Sequence, residues 1–307
     1  MAYNLVVLVK HVPDTKRVTG DAMRDDGTVN RSSLPMIFNP EDLHALEMAL
    51  SLRERYGGRV TVLTMGPPQA SERLRESLQR GADAAVLLTD RRAAVSDTLA
   101  TSYILSAAVR RLAAERSVDM VLCGRQAIDG DTAQVPPQAA EKLGWPQITY
   151  VDAVEEVAGG RVRARRNTGS GSERVEAPLP CLLTVTDQGP EPRPPSAKRI
   201  MAVKKYRTRA ELERETFEAM PDASADERDA EVDRRAERLE ARGFLIAQWS
   251  LDGLDVDLAW CGRDGSPTKV KRIQSVVLTG SGFKKVEPDE AGVTGMVHEL
   301  IQDHTIS

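Results

Sequence analysis

Residues 124–135 read GRQAIDGDTAQV and follow the apolar run VDMVLC. Gly124, Gly130, Asp129, Asp131 and Thr132 are the residue types used where a chain leaves a strand, turns tightly and starts a helix. A helix start offers N–H groups without intrahelical partners and a partial positive charge, which suits a phosphate. Pro136 and Pro137 fall in the first turn, where a missing N–H costs least. The amides of Thr132, Ala133, Gln134 and Val135 are left as donors to a nucleotide phosphate, and the Thr132 hydroxyl either caps the helix or meets a phosphate oxygen. Plain capping and turn chemistry also account for these residues. Gly124 and Gly130 are read as letting backbone approach the ligand.

A second group lies at SDTLATS, 96–102. Asp97, Thr98 and Thr101 put short polar groups at another helix start, and hydroxyls at i and i+3 share one helix face. Further loops contribute Lys10 and His11, and then Thr64, Met65, Gly66, Pro67 and Pro68.

These loops need a frame. NLVVLVK (4–10), RVTVLTM (59–65), DAAVLLT (83–89) and VDMVLCG (118–124) are nearly continuous apolar runs, which predict strands of a sheet covered on both faces. Between and after them the apolar spacing predicts helices over 41–55, 68–80, 96–116 and 132–143, with Ser96 or Asp97 capping the third. Strand and helix in alternation imply parallel strands with right-handed crossovers. The fold class expected is α/β, a doubly wound, mostly parallel sheet with helices on both faces. Ligands then sit beyond the carboxyl ends of the strands, where these loops lie.

From about 148 the period changes. ITYVDAVEEV, RVRARRN, ERVEAPLP and CLLTVTD are read as a small antiparallel extension of the sheet. Residues 188–206 are rich in proline and base. Residues 207–243 are strongly charged, predicting a solvated insertion that is helical in part. A final helical piece, VTGMVHELIQDH, falls at 293–304.

The bulk numbers exclude several classes. The 307 residues carry 42 basic and 46 acidic side chains, a formal net charge of −4, so a general nucleic-acid surface is not indicated. Hydrophobic residues make up 41% and aromatics only 4%, so aliphatic side chains must build the core. The 3 cysteines, Cys123, Cys181 and Cys261, are far apart and form no metal or disulfide framework. The 4 histidines, His11, His44, His298 and His304, form no HExxH or nucleophile–base arrangement. Neither GxGxxG nor GxxxxGK[ST] occurs, which argues against a standard NAD domain and a P-loop ATPase. No apolar run approaches ~18 residues, so no membrane insertion is expected. The N-terminus lacks a basic leader and a long apolar region, and a cytoplasmic protein is expected. Redox work, if present, must be carried by a bound cofactor.

GRQAIDGDTAQV closely resembles the nucleotide-binding segment of the electron transfer flavoprotein beta subunits. The resemblance extends over most of the chain, through VVLVKHVPDT, SLPMIFNPEDLHALEMAL, TMGPP, GADAAVLLTD, GWPQ, APLPCLLTVTDQGPEPR and GSPTKVKRI. It implies a heterodimer with an alpha subunit that carries a flavin, and a second nucleotide in the beta chain. That nucleotide is AMP in one branch. In another it is FAD, at which electron pairs are split between a high- and a low-potential acceptor. The order Asp129-Gly130-Asp131-Thr132-Ala133-Gln134, with SDTLATS, resembles the FAD-binding branch, with AMP the alternative.

The resemblance also implies that Leu8, Val9, Lys10, Asn39, Met65, Asp97, Thr98, Thr101, Gly124, Arg125, Gln126, Ile128, Asp129, Gly130, Asp131, Thr132, Ala133, Gln134 and Val135 line the nucleotide. Leu8 and Met65 suit packing on adenine. Asn39 either bonds the nucleotide or caps its helix, and Arg125 pairs with a phosphate, with an acid of the partner, or lies at the surface. Glu191, Pro192 and Arg193 match a loop that meets redox partners of the acyl-CoA dehydrogenase or quinone oxidoreductase type. There the family's anchoring leucine is replaced by Ala197, with Ile200 and Met201 as substitutes. The division expected is a nucleotide-binding domain over 1–190, a partner loop over 191–206, the charged insertion over 207–243 and, over 244–307, an arm packing on the alpha subunit. The function implied is transfer of electrons from NADH or dehydrogenase flavins to a quinone oxidoreductase or ferredoxin.

Overall fold

The structure, a computed structural model, describes residues 2–14, 34–269 and 285–302. Residues 270–273 of GSPTKVKRI and 303–304 of the final helical piece, His304 included, lie outside the described residues.

The chain runs as strand β1 (Tyr3–Leu8), a short hairpin of β2 (His11–Pro13) and β3 (Met36–Phe38), then helix α1 (Pro40–Tyr56) and strand β4 (Gly58–Met65). Helix α2 (Ser71–Arg80) leads to β5 (Ala84–Leu88), α3 (Thr98–Glu115) to β6 (Met120–Gly124), and α4 (Val135–Leu143) to β7 (Gln147–Ala158). Strands β8 (Arg161–Asn167), β9 (Ser172–Pro178) and β10 (Cys181–Val185) follow. Then come α5 (Ala197–Val203), α6 (Arg209–Ala219), α7 (Ala225–Ala241), β11 (Ala247–Trp249), α8 (Gly262–Gly265) and α9 (Glu290–Gln302).

Nine strands form one sheet in the order β11-β5-β4-β1-β6-β10-β7-β8-β9. From β11 to β7 all neighbours are parallel, and β7, β8 and β9 are antiparallel. The doubly wound α/β expectation is met, and alternation along each strand shows why. Leu5 and Val7 of β1 join the core under α1 and α2, with Leu46, Leu50 and Leu74. Val6 and Leu8 join the core under α3 and α4, with Ile104, Ala108 and Ala140. Each buried Leu, Ile or Val among them contributes roughly 1.5–3 kcal/mol, offset by its ordering entropy.

Three local expectations are corrected. CLLTVTD belongs to the parallel sheet: β10 is buried throughout and sits between β6 and β7, parallel to both. Only the segments from β7 to β9 form the antiparallel extension. The second helix starts at Ser71 after a 3₁₀ turn at Pro68–Ala70, because Pro67 and Pro68 remove N–H donors. The fourth helix starts at Val135, not 132, because Asp131 (φ 50°) and Ala133 (φ 52°) take left-handed backbone that no α-helix accommodates.

The charged insertion is a helical hairpin. Both helices start in capping boxes, Thr208 with Glu211 and Ser224 with Glu227, and a small core of Leu212, Val232 and Ala236 closes it. It is tied to the body by Arg75 and Ser71, which bond Glu211, and by the Ala210 amide donating to Gln248 at 3.0 Å. Residues 247–249 pair with β5, and the Thr268 amide donates to Asp97 at 2.9 Å, so this part of the C-terminal region packs on the chain's own sheet. Among the described residues no helix is long and apolar enough to cross a membrane.

Candidate nucleotide site

Winding proceeds from β1 outward through β4 to β5, then returns to place β6 on the other side of β1. The direction of winding reverses between β1 and β6, and open α/β sheets bind ligands beyond the carboxyl ends of the strands at such a switch point. Leu8, Val9 and Lys10 leave one strand there, and Gly124 to Gln134 leave the other. Leu8 and Met65 lie on the sheet face that α3 and α4 cover.

The loop after β6 is held from below by the first turn of α1. The Gly124 amide donates to Asp42 Oδ1 at 2.8 Å, the Gln126 amide to Glu41 Oε2 at 3.0 Å and the Ile128 amide to Asn39 Oδ1 at 3.1 Å. Asn39 Nδ2 returns a bond to the Gln126 carbonyl at 2.9 Å. Alternate amides therefore point down into α1. Asn39 makes no side-chain cap on its own helix; its amide group serves the loop and Asp42. Arg125 pairs with Glu41 at 2.9 Å and lies 5.6 Å from the Tyr150 ring centroid.

Beyond Ile128 the loop turns upward. Lys10 Nζ pairs with Asp129 at 2.8 Å, and Gln126 Nε2 donates to Asp131 at 3.1 Å. Two carboxylates that would repel an anion are thereby directed onto donors. Left-handed backbone at Ala133 is followed by right-handed backbone at Gln134, the alternation found where successive N–H groups form an anion-binding nest. Among the described residues, no acceptor takes the amides of Thr132, Ala133, Gln134 or Val135. They are the donors an anion would use, at the positive end of α4.

The start of α3 lies alongside. The Thr98 hydroxyl donates to Gln134 Oε1 at 2.8 Å, which brings the two predicted groups together. Asp97 is the cap of α3: it accepts from Ala100 at 2.9 Å and also from Thr268, so its carboxylate is engaged within the chain. Burial pushes the Asp97 carboxyl up, but hydrogen bonds from Ala100, Thr268 and Leu99 outweigh this and hold it below its ordinary value. Thr101 is half-buried one turn on. The Thr132 hydroxyl does not cap α4, whose flanking residue is Gln134.

Two glycines differ from the reading of close approach to a ligand. A Cβ on Gly124 would lie 2.5 Å from Asp42 Oδ1 and 2.8 Å from Glu41 Cβ, so its bareness admits α1. A Cβ on Gly130 would meet nothing within 4 Å.

Glu41 and Asp42 were not singled out by sequence reasoning. Acids in a first helical turn are ordinary partners of the helix dipole, and only the fold turns them onto another loop. Asp42 is buried, and burial pushes its carboxyl up to about 7 against hydrogen bonds from Asn39, Gly124 and Lys10. Burial likewise raises Glu41, and it raises the adjacent Cys123 thiol further, with the charges of Asp42 and Glu41 adding to it.

The partner segment lies elsewhere. Arg193 donates to Glu47 at 2.8 Å through Nε and Nη2 and also pairs with Glu54, so its guanidinium is committed to α1. Ala197, Ile200 and Met201 are on helix α5 rather than in a loop; Ala197 is exposed, Ile200 half-buried and Met201 62% exposed. Glu191 is exposed and Pro192 half-buried.

A family profile described as "Electron transfer flavoprotein domain" matches residues 26–210. The chain is 39% identical over 303 residues, covering 99% of it and 100% of the relative, to "Electron transfer flavoprotein subunit beta" of Clostridium acetobutylicum. It is 46% identical to the protein of that name from Megasphaera elsdenii, over 97% of each chain. It is 37% identical to "Acryloyl-CoA reductase electron transfer subunit gamma" of Anaerotignum propionicum, over 98% of this chain and 99% of the relative.

Proposed function

The chain belongs to the electron transfer flavoprotein beta-subunit family, and from that premise we propose that it holds FAD at the crevice between β1 and β6 while paired with an alpha subunit. The observation that carries the reading is the set of amides at Thr132, Ala133, Gln134 and Val135, left without acceptors among the described residues at the start of α4. A diphosphate needs several such donors. Asp131 and Ala133 are non-glycine residues in left-handed backbone, and such strain gathers at ligand sites.

In this reading the amides bind the diphosphate, Leu8 and Met65 pack on adenine, and Thr98 with Gln134 meets the chain between phosphate and ring. Bound FAD would supply electron-pair uptake and single-electron release, which no side chain of this protein provides. The protein's part is placement and hydrogen bonding, and no residue acts as a general acid or base. Electrons would arrive from NADH or a dehydrogenase flavin and leave to a quinone oxidoreductase or ferredoxin, with pairs split between acceptors of high and low potential. A cytoplasmic setting goes with this reading.

Co-purifying the chain with its alpha subunit, denaturing the complex and assaying the released nucleotides tests it. Two FAD per heterodimer is the expected result. One FAD with released AMP would make the beta site a structural nucleotide site, and no nucleotide beyond the alpha subunit's flavin would overturn the reading.

A further inference from the structure

We infer that Asp42 is the positioning residue of the nucleotide site: its buried carboxylate sets the spacing of the loops leaving β1 and β6 and does so at the expense of fold stability. The inference rests on the nucleotide reading above. Asp42 lies in the first turn of α1, yet its carboxylate turns away from its own helix. Oδ2 accepts from the Lys10 amide and Oδ1 from the Gly124 amide, each at 2.8 Å. Those amides end adjacent strands, paired in register at Val7 and Leu122. One carboxylate therefore spans the switch point.

The residue type follows from this geometry. A carboxylate accepts at both oxygens, whereas an asparagine of the same shape would present an NH₂ group to one of the amides. Gly124 completes the fit, since any Cβ there would displace Asp42 Oδ1. Glu41 and Asn39 then take the amides of Gln126 and Ile128, so one helical turn fixes the underside of the loop and the upper amides fall at Thr132 to Val135. Among the described residues no cation pairs with Asp42: Lys10 Nζ goes to Asp129 and Arg125 to Glu41. A buried carboxylate held only by neutral donors costs stability, and a site serving the fold alone would be better filled by a neutral group. Its retention is accounted for by the spacing it imposes.

The test is Asp42→Asn in the full chain paired with its alpha subunit, titrated with ADP and with AMP by calorimetry at pH 8, with thermal melts of the same samples. Expected is a loss of affinity of about tenfold or more, the scale of one charge-assisted hydrogen bond, with a melting temperature equal to or above that of the wild type. Hydrogen exchange should speed up at the Lys10 and Gly124 amides and stay unchanged at Ala100. Unaltered affinity in a folded variant overturns the inference and leaves the nucleotide reading intact. Loss of folding, or a lowered melting temperature alongside weaker binding, makes Asp42 merely structural and also overturns it. A wild-type heterodimer whose beta site binds neither ADP nor AMP removes the nucleotide reading and this inference with it.

Discussion

Thr98 and Gln134 meet between the starts of α3 and α4, the threonine hydroxyl donating to the side-chain carbonyl at 2.8 Å. The first residue of α3 is thus tied to the residue before α4. The bond also fixes the Gln134 amide, turning its NH₂ donors away from Thr98.

Thr98→Val should therefore weaken nucleotide binding by roughly 3- to 10-fold, the worth of one neutral hydrogen bond. Thr98→Ser should restore it. In a Gln134→Ala background the Thr98→Val change should have little further effect, because contacting residues are not additive. Calorimetric titration of the variants checks this; full additivity would mean that Thr98 acts independently of Gln134.

The glycines give a paired prediction. Gly124→Ala forces a Cβ against Asp42 and Glu41 and should destabilise the fold by about 1–3 kcal/mol, the usual cost of overpacking. Gly130→Ala meets nothing and should stay within about 0.5 kcal/mol of wild type. Denaturant melts of both variants decide it. Equal losses would overturn the assignment of open space around Gly130.

Much of this arrangement was legible in the sequence. Continuous apolar runs and helical spacing specify the parallel sheet, and Gly, Asp and Thr after a strand mark the loop between β6 and α4. The start of the fourth helix is not legible in the sequence, because proline preference speaks to N1 and says nothing of left-handed backbone at Asp131 and Ala133. CLLTVTD was misplaced since a short apolar run looks alike in parallel and antiparallel neighbours. Asp42 and Glu41 stayed hidden because their partners are up to 85 residues away, at Gln126.

The partner segment divides into a tether and an exposed surface. Arg193→Ala removes bonds to Glu47, which is 8% exposed, and should cost about 1–3 kcal/mol by leaving that carboxylate unpaired. Met201→Glu, at a 62% exposed position, should leave stability within about 0.5 kcal/mol. If α5 meets a dehydrogenase, the same change should slow reduction of the complex by its dehydrogenase about tenfold, as loss of an apolar anchor does. Stopped-flow reduction alongside thermal melts separates the two effects; an unchanged rate would remove Met201 from the contact.

Stability should also depend on pH through Asp42. Its folded carboxyl is raised from an ordinary 3.8 to about 7, so the folded state binds the proton more tightly than the unfolded state. The stability this confers is fully present below about pH 4 and lost as pH rises through 7. It amounts to about 4 kcal/mol at most, from 1.36 kcal/mol per unit. Glu41, also raised by burial, moves in the same direction, whereas His11, lowered by burial and by Arg73, loses stability as pH falls. The difference between wild type and Asp42→Asn isolates the first group, because the others are common to both chains. Melting temperatures taken every half unit from pH 5 to 8 should show the wild type declining relative to the variant. Parallel curves would mean that Asp42 does not change its charge in this range.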